Sequence, residues 1–178
     1  MKFLTILLLL LFLAGCDDEK VKPSINTSLK VEELPAQESW NSKVFFTDSG
    51  KTQAVLHSGH IRIFSGTQET LLDSNVKVEF YNDLEKVTTV LTSKRGRVDD
   101  ITQNLYAIDS VVAVNDSGVT LITPELMWRN EDKKIISSKY VTILTQQEKI
   151  QGYGFESDQS LNNYVIYNIT YVSRRDTL

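Results

Sequence analysis

Between residues 44 and 172 apolar and polar residues alternate in short runs. The clearest is Asn75–Asn82, where Val76, Val78 and Phe80 point one way and Lys77, Glu79 and Tyr81 the other. That period of two is the signature of a strand with one buried and one wet face. Comparable runs cover Val55–Phe64, Val87–Ser93, Ala107–Val114, Val119–Thr123, Leu126–Trp128, Lys134–Ser138, Val141–Thr145 and Tyr164–Val172. Turn chemistry separates them at Asp48-Ser49-Gly50, Asn115-Asp116-Ser117-Gly118 and Arg129-Asn130-Glu131-Asp132, and Ser58-Gly59 reads as a turn or bulge. No helical periodicity lasts beyond about two turns. The pattern predicts an all-β domain from Val44 onward, its short antiparallel strands joined by hairpins and no long helices.

Val98, Val114, Trp128 and Ile143 recur about every 15 residues, a weak repeat that reads as one strand out and one strand back per unit. Units stacked in this way make an elongated sheet whose terminal strands stay uncovered. Some strands are apolar at both parities: Val111, Val112 and Val114 in one, and Tyr164, Val165, Ile166, Tyr167 and Ile169 in another. Either both faces are buried, or one face lines a groove for an apolar ligand. The last run, Tyr164–Val172, is followed at once by Arg174-Arg175-Asp176. It reads either as a paired strand with a charged tail or as a long free edge able to accept a partner strand.

Before Val44 the pattern changes twice. Lys2 precedes an apolar stretch, Phe3–Ala14, that ends in Leu13-Ala14-Gly15-Cys16. This reads as a secretory signal, too short for a spanning helix. The only cysteine of the chain stands where a lipoprotein signal carries its acceptor thiol, and Leu-Ala-Gly-Cys resembles the bacterial lipobox. Residues 1–15 are therefore read as a lipoprotein signal peptide, with Cys16 as the diacylated mature N-terminus. Two or more acyl chains anchor firmly, and a lipidated lone thiol leaves no disulfide to support the fold. Residues 16–43 carry Asp17, Asp18, Glu19, Lys20, Glu32, Glu33, Pro23 and Pro35 with few apolar residues, and read as a flexible tether. The domain then spans 44–178. Asp17 and Asp18 after the cysteine favour retention on the periplasmic side of the inner membrane, with an outer-membrane lipoprotein as the alternative.

Composition narrows the function. The chain is 41% hydrophobic over 178 residues, and the leader is far richer in apolar residues than the remainder. That suits one domain of ordinary size, and no later segment is apolar enough to span a bilayer as a helix. A net charge of −4 argues against nucleic acid as a partner. His57 and His60, even with Asp48 or Glu69, fall short of a usual metal site. No Gly-x-Ser-x-Gly elbow and no phosphate-binding glycine loop occurs, Gly152-x-Gly154 lacking the strand-to-helix setting. Asp99-Asp100 and Glu131-Asp132 fall in expected turns. Neither an enzyme nor a cofactor is expected.

Four segments, in this order, resemble the LptC family of the lipopolysaccharide export machine. They are Leu72–Tyr81 (Leu-Asp-Ser-Asn-Val-Lys-Val-Glu-Phe-Tyr), Leu91–Gly96 (Leu-Thr-Ser-Lys-Arg-Gly), Leu121–Trp128 (Leu-Ile-Thr-Pro-Glu-Leu-Met-Trp) and Ile150–Asp158, with Gly152-Tyr153-Gly154-Phe155 at its centre. The resemblance runs from Val44 to Val172 and departs from well-known members at the N-terminus, where a lipobox replaces a transmembrane helix. It implies an open antiparallel β-jellyroll of the OstA/LptA-like kind. Such a domain accepts lipopolysaccharide from an inner-membrane ABC transporter of LptB, LptF and LptG and passes it to an LptA-like bridge protein. On this reading lipid A acyl chains meet the interior face at Val76, Val78, Phe80, Val114, Trp128, Val141 and Ile143. The partner-binding edge comprises Gly152, Gly154, Phe155, Tyr164, Ile166, Tyr167 and Ile169, with the two glycines allowing close backbone approach. The alternatives are a structural lipoprotein that binds no ligand and recruits envelope partners through strand edges, and a lipid-anchored carbohydrate-binding jellyroll.

Overall fold

A computed structural model describes residues 34–174. They form nine antiparallel strands: β1 (Gln37–Asp48), β2 (Lys51–Phe64), β3 (Glu69–Tyr81), β4 (Val87–Asp99), β5 (Leu105–Asn115), β6 (Thr120–Arg129), β7 (Lys134–Leu144), β8 (Glu148–Asp158) and β9 (Tyr164–Arg174). Each strand lies beside its sequence neighbour in a single open sheet ordered β1 to β9. The links are short because side chains build the turns. Asn115 Oδ1 accepts the amides of Ser117 and Val119, Asp99 Oδ1 those of Ile101 and Thr102, and Asn82 Oδ1 those of Leu84 and Lys86.

The strands are longer than the alternation suggested, and every one from β2 to β8 is bent near its middle. The ladders slip between His57 and His60, Asp73 and Val76, Thr92 and Arg95, Ile108 and Val111, Ile122 and Met127, and Ser137 and Tyr140. Val119–Thr123 and Leu126–Trp128, expected as two strands, are the two arms of β6. Lys134–Ser138 and Val141–Thr145 are likewise the arms of β7. The 15-residue spacing is thus one bent strand with its turn, not a strand pair. Its supposed anchors are not equivalent either, since Val98, Trp128 and Ile143 are buried whereas Val114 is exposed. At the N-terminal side β1 starts at Gln37, inside the segment expected to be tether.

The bend has two alternating chemistries. In β2, β4, β6 and β8 the buried face advances by three residues across it, from Ser58 to Ile61, Ser93 to Gly96, Thr123 to Leu126 and Gly152 to Phe155. In β3, β5 and β7 it advances by four, from Leu72 to Val76, Ala107 to Val111 and Ser137 to Val141. Where a ladder slips, carbonyls lose their strand partners, and a buried carbonyl needs a donor. Small hydroxyls supply it. Ser58 Oγ lies 2.9 Å from His60 O and 2.8 Å from Asp73 O, Ser93 Oγ donates to Arg95 O at 2.8 Å, and Ser137 Oγ donates to Glu125 O at 2.7 Å. Thr123 Oγ1 reaches Tyr140 O at 3.1 Å. In β3 and β5 the bend takes paired left-handed residues, Ser74 and Asn75 (φ 62° and 63°) and Asp109 and Ser110 (φ 65° and 53°). Apart from glycine, Asn and Asp adopt that conformation most readily, and each pair contains one of them.

Bending at one line folds the sheet onto itself. Trp128, on the far arm of β6, packs edge-on against Phe46 of β1 at 5.4 Å between ring centroids and tilts against Phe80 of β3 at 5.6 Å. Leu56, Leu91, Leu105, Leu121, Ile135 and Phe155 join them in one core, all with no solvent exposure. The fold is all-β, nine antiparallel strands in one open, jellyroll-like sheet, with no helix among the described residues.

Candidate functional site

Six of the seven residues expected on the interior face lie there. Val78, Phe80, Trp128, Val141 and Ile143 have 0% exposure and Val76 has 1%. Val114 is the exception. Ala113 takes the inward position in β5, so Val114, its neighbour in a period of two, faces outward at 39% exposure. The same alternation places Val112 on the outer side. Apolar residues at both parities therefore mean one packed face and one partly open face.

The β8–β9 turn closes the folded sheet where the arm ends meet. Gln159 Nε2 donates to Tyr81 O at 2.7 Å, and its Oε1 accepts from Trp128 Nε1 at 3.3 Å. Asn115 Nδ2 donates to Ser160 O at 3.0 Å, and Ser160 Oγ meets Thr88 Oγ1 at 3.4 Å. Leu161 turns inward with φ 55° and is fully buried. Just inside this closure Thr89, 1% exposed, has a buried hydroxyl without a hydrogen-bond partner among the described residues. An orphaned hydroxyl in an apolar interior costs about 1–3 kcal/mol.

The C-terminal edge divides the residues expected to form it. Among the described residues β9 is hydrogen-bonded only to β8, so none of them pairs with its other side. Phe155 belongs to β8 and is core, with no exposure, and Gly152 is buried. Tyr164 and Ile166 are partly buried and pack onto that core, and burial raises the Tyr164 phenol pKa above its ordinary value. Tyr167 and Ile169 are exposed at 63% and 56%. The glycines do permit close approach. A Cβ at Gly152 would lie 2.3 Å from Asn168 O, and Gly154, at φ 76°, lies under the Tyr167 ring. Val165, Tyr171 and Val172 are also exposed but were not among the residues expected at this edge, and Trp40 and Phe45 are exposed on the opposite edge strand β1.

The histidines take partners other than those considered from sequence. His57 Nε2 lies 3.2 Å from Glu79 Oε2, and His60 Nε2 lies 2.8 Å from Glu38 Oε2 while its ring stacks on Trp40. The Lys77 ammonium, bonded to Glu79, holds that carboxyl below its ordinary pKa against partial burial. Among the described residues no three His, Cys, Asp or Glu side chains are grouped to hold a metal. Cys16 lies outside the described residues.

The family model for lipopolysaccharide-assembly, LptC-related proteins matches residues 3–170. The chain belongs to this LptC family. No curated protein matches it. Membership involves the chain in lipopolysaccharide transport and in the Lpt machinery, and the LptC family is a transport component rather than an enzyme family.

Proposed function

We propose that the protein is a lipid-anchored periplasmic component of lipopolysaccharide export. It accepts lipopolysaccharide from the inner-membrane ABC transporter and passes it to a bridge protein through β9. The observation that carries this reading is the contrast within one sheet: an interior lined by Val76, Val78, Phe80, Trp128, Val141 and Ile143, and a terminal strand that, among the described residues, is paired on one side alone and has large apolar side chains exposed. Acyl chains need the first surface. A relay of like domains needs the second, because backbone groups on a free edge pair readily with another strand. Nothing in the motifs of this chain binds nucleotide, so the driving energy comes from the transporter. Cys16 is the anchor, and Asp17 and Asp18 hold the protein at the inner membrane.

Photo-crosslinking side chains at Val78 and Val141, introduced into the full chain in living cells, should each yield a lipopolysaccharide adduct. In the same strain Cys16→Ala should move the protein from the membrane to the soluble periplasmic fraction. Absence of any adduct would sink lipid transfer in favour of a purely structural lipoprotein, and unchanged membrane retention would sink the anchor.

A further inference from the structure

An acyl chain that is to reach so packed an interior needs a way in, and the end of the sheet beside the β8–β9 turn offers one. Beside the β8–β9 turn a mainly apolar cavity of about 260 Å³ is lined by Val87, Thr88, Thr89, Val90, Val114, Asn115 and Asp116. Val87 and Val114 are exposed at its rim, at 40% and 39%. Three of its wall residues are tied to what lies further in: Thr88 and Asn115 hold the β8–β9 turn, and Thr89 carries the unpartnered hydroxyl. Outside the turn is an apolar vestibule, and inside it are Phe80 and Trp128.

We infer that this is the portal for the acyl chains of the proposed lipid, with the Gln159–Asn162 segment as its clasp. The inference rests on the lipid-transfer reading above. The clasp is suited to opening because most of its grip is polar. It consists of side-chain hydrogen bonds from Gln159, Ser160 and Asn115, which water can replace when they part, with Leu161 as its one apolar plug. The bend opposite supplies the hinge, since the two arms of each strand there join through slipped ladders and hydroxyl bridges instead of a continuous ladder. Acyl chains then bind sideways through the mouth between arm ends and do not have to thread along the sheet. The Thr89 hydroxyl stands at the threshold, where the ester and amide oxygens at the root of an acyl chain would meet it. Val114 regains a role, as a vestibule contact.

The side chains at positions 88 and 160 already touch, their oxygens 3.4 Å apart, so Thr88→Cys with Ser160→Cys brings two sulfurs within bonding range. In the full chain in cells, the oxidised pair should lower the lipopolysaccharide adduct at Val78 by about tenfold or more, since the state that admits ligand is withdrawn from the equilibrium. The adduct at Val114 should persist, and reduction should restore the one at Val78. An undiminished Val78 adduct in the locked form overturns the portal alone. Absence of the adduct in the unlocked parent overturns lipid transfer, and the portal with it. Gln159→Ala provides a check independent of the disulfide: adduct at Val78 should accumulate several-fold faster, and an unchanged rate counts against the clasp.

Discussion

β5 and β9 are each 11 residues long and read alike, Leu-Tyr-Ala-Ile-Asp-Ser-Val-Val-Ala-Val-Asn against Tyr-Val-Ile-Tyr-Asn-Ile-Thr-Tyr-Val-Ser-Arg. Their fates differ. β5 has a neighbour on both sides and buries Leu105, Ala107, Val111 and Ala113 completely, whereas β9 has one neighbour among the described residues and leaves Val165, Tyr167, Ile169, Tyr171 and Val172 about half exposed or more. Strand propensity is therefore not what distinguishes a satisfied strand from an available one. Position in the order of the sheet decides, because the first and last strands of an open meander have no further neighbour to satisfy their amides and carbonyls.

The largest way to test this contrast is to cut into each region. Trp128→Ala removes the ring at the centre of the Phe46–Phe80 cluster and should lower stability by about 3–5 kcal/mol in urea titration. Tyr167→Ser on β9 should change stability by no more than about 0.5 kcal/mol while reducing co-purification of the downstream bridge protein. Equal destabilisation by the two would erase the difference between centre and edge. Next in size is Gly152→Ala, where the new methyl meets Asn168 O and Ile166. Overpacking of this kind costs about 1–3 kcal/mol. The damage should be local, with amide exchange quickening in β9 and unchanged in β5; uniform quickening would mean that β9 is no separate unit. The smallest effect has the opposite sign. Thr89→Val deletes an orphaned hydroxyl at nearly constant shape and should stabilise the ligand-free domain by about 1 kcal/mol. A loss of stability would show that the hydroxyl is partnered and that the mouth is ordinary core.

Much of this was legible in the chain. The alternation of Val76, Val78 and Phe80 with Lys77, Glu79 and Tyr81 placed the first three in the interior correctly, and the Asn115–Gly118 turn formed where its residues called for it. Short polar segments in mid-strand were harder. The alternation breaks at Pro124-Glu125 and at Lys139-Tyr140, which divides each segment into two runs, yet these breaks are bends within β6 and β7, where the Thr123 and Ser137 hydroxyls bond to carbonyls released by the slipped register. The clasp was illegible for a different reason. Gln159 bonds to Tyr81, and Asn115 to Ser160, across gaps of 78 and 45 residues, and no local pattern encodes a contact between remote turns.

By itself, then, the order of residues determined the class of the fold, the alternation within strands such as β3, the family, and the expectation of a lipidated Cys16. Those properties depend on nearest neighbours or on short motifs, which a linear chain displays directly. Only the tertiary structure decided that paired short runs are single bent strands, that Val114 faces outward, that the β8–β9 turn closes the mouth, and that Phe155 is core while Tyr167 and Ile169 are edge. Each of these depends on where the ladders slip and on which side of a strand no neighbour remains, and both are set when the whole sheet folds.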